Sequence, residues 1–148
     1  MISVAAVVSS TSNSKHEVDV NSSPQGYIVS HSYYNDKSYN SNIDSTLTLV
    51  GIERRQININ FVNFDLDDSR ACQDYLLVTY RKGRERLCDN SDIEDFRQLN
   101  PLVNLNTVKL TFITKSGGSP TKKGFLLYYN GKLGRLIKYS KCTGTFLK

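Results

Sequence analysis

Hydrophobic and polar residues alternate along several short stretches of this chain, as they do in β-strands with one buried face and one solvent-exposed face. The clearest alternation covers residues 56–61, and a register change is predicted near Val62 because Phe61 and Phe64 cannot otherwise share one face. Strands are predicted at residues 26–30, 43–50, 56–66, 75–81, 84–87, 108–112 and 124–129. Helical periodicity is confined to residues 92–99. Because strands and helices do not alternate, the pattern predicts an all-β chain folded as an antiparallel sandwich.

The patterned region defines one predicted domain at residues 23–130 of the 148-residue chain. Residues 1–22 lack a pattern and are predicted to be a leader or a disordered N-terminal segment, with a truncated signal peptide as the alternative. Residues 131–148 are predicted to be a basic C-terminal tail. A sequon at Asn21 predicts a glycosylation site. No stretch approaches 18 apolar residues, so no membrane span is expected.

The chain has three cysteines, and Cys72 and Cys88 lie 16 positions apart. A bridge between these two would stabilise the fold by about 3 kcal/mol in the chain-entropy model. A reduced pair is the alternative. Cys142 is then left over, which suggests an intermolecular disulfide, a partner in another segment, or a free thiol. A zinc site is not expected, because the chain has no CxxC motif and only two histidines.

The order of these pieces resembles the CUB domain, an extracellular β-sandwich found in complement proteases, spermadhesins and growth-factor precursors. The resemblance covers residues 23–130 and rests on the stretches 26–30, 57–67, 72–75, 87–88, 108–112 and 124–128. It implies a jelly-roll sandwich and a secreted, extracellular protein. Ser45 and Leu47 stand where many members have their second cysteine and a tryptophan, and no cysteine precedes Gly26. The first disulfide of the family is therefore absent, as it is in certain platelet-derived growth factor precursors.

The resemblance also places calcium ligands at Asp67 and Asp74, but the third ligand position is occupied by Lys115. Calcium takes six to eight oxygen ligands, so a lysine there removes one ligand and adds a repelling charge. The favoured interpretation is a degenerate site with no cofactor, in which Lys115 neutralises Asp67 and Asp74 on a solvated acidic turn. Calcium binding is the alternative.

The formal net charge is +5, and the stretch from Lys122 to the C-terminus contains basic residues but no acidic ones. The candidate binding residues are Lys115, Lys122, Lys123, Arg81, Lys82 and Arg84. In an extracellular setting such charges attract sulfated glycans or acidic proteins, whereas ordinary solvated side chains are the alternative. Nucleic acid is not expected as a partner, because a sandwich of this kind supplies neither a groove-reading helix nor a base-stacking sheet.

No catalytic motif is present, since the chain lacks GxSxG, HExxH and a phosphate-binding loop. His16 falls in the predicted leader and His31 in a polar loop, where solvated histidines are expected. The chain is therefore not predicted to be an enzyme. It could be the accessory domain of an extracellular protease. The favoured function is a CUB-type module of a larger secreted mosaic protein that binds a protein or a glycan. The alternatives are the CUB portion of a growth-factor precursor and a single-domain, spermadhesin-like lectin.

Overall fold

Nine strands and one short helix make up the part of the chain that the computed structural model describes, residues 4–67, 71–103, 105–115 and 121–133. In chain order these are β1 (Val4–Ser9), β2 (Lys15–Asp19), β3 (Gln25–His31), β4 (Asp44–Val50), β5 (Arg55–Asp65), β6 (Tyr75–Tyr80), β7 (Gly83–Leu87), α1 (Asn90–Arg97), β8 (Val108–Ile113) and β9 (Gly124–Leu133). The helix begins where the Asp89 side chain accepts a hydrogen bond from the Asp92 N–H at 3.0 Å, a typical N-cap.

The strands form two sheets, a four-stranded one in the order β1-β3-β9-β5 and a five-stranded one in the order β2-β4-β8-β6-β7. The prediction of an all-β sandwich is confirmed. Most neighbouring strands are antiparallel, but β1 pairs with β3 in parallel and β2 pairs with β4 in parallel. These two parallel pairs follow from the chain path, because the first four strands alternate between the two sheets and reverse direction each time.

The core lies between the sheets and is built from the inward residues of the alternating strands. In β5 the side chains of Ile57, Ile59 and Phe61 are buried, and the intervening polar residues are more exposed. The pairing of β5 with β9 shifts between Phe61 and Asn63, which confirms the predicted register change near Val62. This shift allows Phe64 to enter the core as well, where its ring lies 5.4 Å from that of Phe61.

The N-terminal segment differs from the prediction. The sequence predicts a leader or disordered segment at residues 1–22, but the structure places β1 and β2 within it, and the side chains of Val8 and Val20 are fully buried. The pattern misleads here because β1 has no period-two alternation and the edge strand β2 exposes most of its polar residues. Disorder is thus wrong for residues 4–22, whereas signal-peptide cleavage stays a prediction.

At the other end of the chain, β9 continues to Leu133, past the predicted domain boundary at residue 130. The rest of the predicted basic tail, including Cys142, lies outside the described residues. The tail and the intermolecular bridge through Cys142 therefore stay predictions.

A disulfide joins Cys72 to Cys88, with a Cα–Cα distance of 5.5 Å, and this predicted pairing is confirmed. The bridge closes the open end of the hairpin formed by β6 and β7, next to the cross-strand pair Leu76 and Leu87. Helix α1 follows directly after Cys88 and packs Phe96 against Phe61, with ring centroids 5.9 Å apart. The disulfide therefore ties the acidic turn before β6 to the start of the helix.

Candidate functional site

The predicted calcium ligands lie at one end of the sandwich, where β5 ends, β6 begins and β8 ends. The Tyr39 hydroxyl donates a hydrogen bond to Asp74 Oδ2 at 2.9 Å and accepts one from the Asp67 backbone N–H at 2.7 Å. The other carboxylate oxygen of Asp74, Oδ1, accepts a hydrogen bond from the Lys115 backbone N–H at 3.0 Å. We call this end, defined by Tyr39, Asp65, Asp67, Asp74 and Lys115, the acidic end. The structure thus brings the three predicted positions together, but around a tyrosine.

Tyr39 is the residue that joins the two sheets at the acidic end. It is buried, and its ring lies edge-on to Phe112 with the centroids 5.3 Å apart. Burial raises the pKa of the Tyr39 hydroxyl well above its usual range, although the hydrogen bond from the Asp67 N–H opposes this rise. The hydroxyl therefore stays protonated and donates to Asp74. Sequence reasoning missed this role, because Tyr39 stands in a polar loop without any alternating pattern.

The resemblance assigns Asp67 and Asp74 of the acidic end to a calcium site. Calcium requires six to eight oxygen ligands. Both oxygens of Asp74 already accept hydrogen bonds from protein groups, and Lys115 approaches with its backbone N–H. Within residues 4–67, 71–103, 105–115 and 121–133, no three His, Cys, Asp or Glu side chains are grouped so that they could hold a metal ion. Calcium binding at Asp67 and Asp74, and the favoured alternative of a degenerate site without a cofactor, therefore both stay predictions.

Two further candidate cations, Lys122 and Lys123, also lie at the acidic end. Lys122 Nζ forms an ion pair with Asp65 Oδ1 at 3.4 Å, and the Lys123 backbone N–H donates to Asp65 Oδ2 at 2.9 Å. An ion pair that remains partly open to solvent adds little stability. Its consequence here is electrostatic, because the charge of Lys122 is balanced within the protein.

The opposite end of the five-stranded sheet carries the remaining candidate cations. Arg81 and Lys82 lie in the turn between β6 and β7, and Arg84 lies in β7 next to this turn. Tyr75 at the start of β6 pairs with Ile113 near the acidic end, and β6 then runs away from that end to the turn at Arg81 and Lys82. The structure therefore divides the predicted binding residues into two groups and does not join them into one patch.

The environment of His31 differs from the predicted one. The sequence predicts a solvated His31, but this residue is buried, and its Nε2 donates a hydrogen bond to the Lys37 carbonyl oxygen at 2.7 Å. Its Nδ1 lies 2.6 Å from Ser30 Oγ. Burial lowers the pKa of His31, so the neutral ring is favoured. The prediction failed because His31 closes strand β3 beneath the loop at residues 32–42, a tertiary contact that periodicity does not report.

The Ser30–His31 contact resembles part of a catalytic pair but lacks its other features. Ser30 is fully buried, and its Oγ accepts a hydrogen bond from the Phe125 N–H at 3.1 Å. The His31 ring is oriented by a backbone carbonyl, whereas an activated nucleophile needs an accessible hydroxyl and a base that a third group supports. This pair therefore anchors the loop to β3 and β9.

Ser45, which stands where many CUB domains have their second cysteine, is hydrogen-bonded to Ser14. Ser14 Oγ donates to Ser45 Oγ at 3.2 Å, the Ser14 N–H donates to the same oxygen at 3.0 Å, and both residues are buried. Ser45 Oγ in turn donates to the Thr11 carbonyl oxygen at 3.0 Å. These bonds attach the turn before β2 to strand β4 without a covalent link.

The predicted glycosylation residue Asn21 is exposed in the turn after β2. Its side-chain oxygen accepts hydrogen bonds from Arg55 Nε at 3.3 Å and Nη2 at 3.2 Å. Glycosylation at Asn21 stays a prediction.

In the comparisons with known proteins, a family model gives the family and the solved structures give the fold. The family model of the CUB domain matches residues 17–129. Among solved structures, the CUB1-EGF-CUB2 domains of rat MASP-1 superpose with a TM-score of 0.59 at 22% identity, covering 80% of this chain and 42% of that one. The corresponding human MASP-1/3 domains give a TM-score of 0.60 at 20% identity, with 79% and 45% covered. The full extracellular region of zebrafish Gpr126/Adgrg6 gives a TM-score of 0.60 at 20% identity, with 83% and 15% covered.

The chain spans less than half the length of each of these three structures. A search of curated proteins found no match to this chain. Across the described residues, no helix is both long and apolar enough to cross a bilayer.

Proposed function

The chain belongs to the CUB domain family, and from this premise we propose that it is a noncatalytic binding module of an extracellular protein. The proposal rests on the match of the CUB family model to residues 17–129, together with a β-sandwich that contains the Cys72–Cys88 disulfide. Disulfides persist in oxidising compartments such as the extracellular space. The similar structures are pieces of multidomain proteins, of which this chain matches only a part, and this supports a modular role.

The way the buried polar groups are used supports binding over catalysis. At the acidic end, Tyr39 and the Lys115 N–H satisfy the carboxylate of Asp74. Beneath the neighbouring loop, Ser30 and His31 satisfy each other and two backbone groups. These networks hold loops in place, and rigid loops present fixed surfaces to a partner. The partner class is an extracellular protein or a glycan.

One observation favours a second candidate, the CUB portion of a growth-factor precursor. No cysteine precedes Gly26, and Ser45, at the family's second cysteine position, is hydrogen-bonded to Ser14. Certain platelet-derived growth factor precursors also lack the family's first disulfide. A cystine-knot region after Cys142 in the parent gene would support this candidate. A protease domain or further CUB domains there would support the mosaic protein.

The extracellular assignment is tested by expressing the full parent protein in animal cells and analysing the product by nonreducing peptide mapping. The expected product appears in the medium with Cys72 bonded to Cys88, and the same map reports glycosylation at Asn21 and the state of Cys142. Protein that is retained in the cytosol with both Cys72 and Cys88 reduced would overturn the assignment.

The binding role is tested with the purified protein. Saturable binding to the surface of intact cells is the expected result. Turnover of substrates in a hydrolase panel, abolished by replacing one residue of the chain, would refute the noncatalytic role.

A further inference from the structure

The solvent-facing side of strands β8, β6 and β7 carries positive charge. It includes the predicted candidates Arg81, Lys82 and Arg84, together with Lys109 and Arg86, which were not predicted. We infer that this surface binds a linear sulfated polysaccharide, an inference that rests on the proposed extracellular binding function and names its partner class. We call the surface the cationic face and define it by Lys109, Arg84, Arg86 and the adjoining turn residues Arg81 and Lys82.

The register of the strands sets the spacing of these cations. Lys109 pairs with Thr79, which pairs with Arg84, so the two cations stand in one row across three strands. Because neighbouring strands lie about 4.8 Å apart, the Cα atoms of Lys109 and Arg84 are separated by about 10 Å. Arg86 follows Arg84 by two residues on the same face, about 7 Å along β7. The inward neighbours of these residues, such as Val78 and Leu110, are fully buried, so the cations point outward.

No carboxylate offsets these charges within the three strands. β6 and β8 contain neither Asp nor Glu, and the single acid of β7, Glu85, alternates to the other side of the strand. Its Oε2 accepts a hydrogen bond from the Tyr80 hydroxyl at 3.1 Å. In the described parts of the chain the ion pairs are Arg97–Glu94 and Lys122–Asp65, and neither involves the cationic face. The cations of this face form no ion pair within the described residues and can contact an outside anion, although Glu17 of β2 lies in the same row as Lys109, across Thr48.

The other edge of the same sheet, at β2 and β4, carries acidic residues, so the charge of the sheet changes from negative to positive across its strands. Glu17 and Asp19 lie on β2 and Asp44 on β4, with Lys15 as the basic residue among them. A polyanion is repelled from this edge and held over β8, β6 and β7, since exposed charges act over about 8 to 10 Å at physiological salt. The acidic end offers no equal site, because Asp65 there balances Lys122.

Part of the cationic face is held rigid before any ligand arrives. The Arg86 guanidinium lies 4.0 Å from the centroid of the Tyr75 ring, and its Nη2 donates to the Cys72 carbonyl oxygen at 2.8 Å. The disulfide fixes Cys72 in turn. An arginine that is already positioned loses less side-chain entropy when it binds an anion, and its planar fork suits the oxygens of a sulfate group.

The chemistry between the cations favours a polysaccharide over a protein or a nucleic acid. The hydroxyls of Thr79 and Thr111 lie among the cations and suit hydrogen bonding to sugar hydroxyls. Protein interfaces have cores enriched in aromatic residues and depleted of charge, which this face is not. Single-stranded nucleic acid needs exposed aromatic rings for stacking, and the ring of Tyr75 is covered by Arg86.

The test compares two double variants of the purified protein that each remove two positive charges. Arg84→Ala/Lys109→Ala changes the cationic face, whereas Lys122→Ala/Lys123→Ala changes the acidic end. Binding of a fluorescent heparin octasaccharide is measured by polarisation at several salt concentrations, and the unfolding midpoint of each variant confirms that it is folded. The expected result is an affinity loss of at least about tenfold for the first variant, with a smaller slope of log Kd against log salt because fewer counterions are released. The second variant should stay within about twofold of the unchanged protein.

Three further outcomes would overturn the inference. Equal loss in both variants would mean that only net charge matters. Loss on neutralising Arg135, Lys138 and Lys141, with Arg84→Ala/Lys109→Ala unaffected, would assign binding to the C-terminal segment. A desulfated octasaccharide or an oligonucleotide that bound equally well would show that sulfate is not recognised. Each of these results leaves the proposed extracellular module standing if secretion and the Cys72–Cys88 bond are found, so the two proposals fail separately.

Discussion

Replacing Tyr39 by phenylalanine should destabilise the domain through the loss of a single oxygen atom. The Tyr39 hydroxyl donates to Asp74 Oδ2 at 2.9 Å and accepts from the Asp67 N–H at 2.7 Å. Phenylalanine keeps the ring that packs edge-on against Phe112, so the apolar contacts of the core are retained. The substitution therefore isolates the two hydrogen bonds that link the ends of the two sheets.

The magnitude follows from the kinds of bond that are lost. A hydrogen bond to a charged group contributes about 1.5–3 kcal/mol and a neutral one about 0.5–1.5 kcal/mol to the free energy of unfolding. Asp74 is only 5% exposed, so water does not readily replace the lost donor. Tyr39→Phe is thus expected to lower the free energy of unfolding by about 2–4 kcal/mol, out of a total of about 5–15 kcal/mol for a domain of this class.

The measurement is urea unfolding followed by circular dichroism, with the slope of the free energy against urea concentration checked for constancy. Tyr33→Phe is the matched control, because it removes the same atom from the same loop at a residue that is 69% exposed. The control should change stability by less than about 0.5 kcal/mol. If Tyr39→Phe were as mild as Tyr33→Phe, the hydroxyl would not hold the acidic end together and the reasoning would be refuted.

Three other predictions concern the loops and the missing bridge. The double variant Ser14→Cys/Ser45→Cys should form a disulfide, because the two Oγ atoms lie 3.2 Å apart. Thiol titration should show the loss of both new thiols, and the free energy of unfolding should rise by about 4 kcal/mol for a loop of this length; persistent free thiols would contradict the prediction. Gly124→Ala should lower the free energy of unfolding by at least about 2 kcal/mol, since Gly124 has φ +92° and a new methyl group would collide with Ser30 Oγ. Gly83→Ala, with open space around residue 83, should be neutral in the same urea assay, and equal effects would refute the steric argument. Because burial lowers the pKa of His31 below the value of 6.5 for a free side chain, the free energy of unfolding should be highest above pH 6.5 and fall as the pH drops toward the folded-state pKa. In urea midpoints measured down to about pH 5, His31→Gln should flatten this fall, whereas replacing the exposed His16 of β2 should not.

Several of the correctly predicted strands have one face in the core and one face toward solvent. In β5, β6 and β8, hydrophobic and polar residues therefore alternate, and Ile57, Val78 and Leu110 could be assigned to the core from this local pattern alone. Strands β1 and β2 leave no such trace. They are recognisable only through their parallel neighbours β3 and β4, which lie elsewhere in the chain.

The candidate site shows the same division. Its predicted residues Asp67, Asp74 and Lys115 do meet, as the resemblance to the CUB family implied. Tyr39, which holds them together, was not predicted, because its partners are 28 and 35 residues away in sequence. A hydrogen bond across such a distance has no local signature.

The all-β class and the register change in β5 could be predicted from the sequence, because both patterns are formed by residues that are close together along the chain. The Cys72–Cys88 bridge was predicted with a reduced pair as its alternative. Only the fold pairs Lys122 with Asp65 and places Arg84 and Lys109 on the outer face of their strands, where neither forms an ion pair within the described residues. The electrostatic interaction of a charged side chain depends on which other charges lie within a few ångströms of it. That proximity is set by how the two sheets fold and pair.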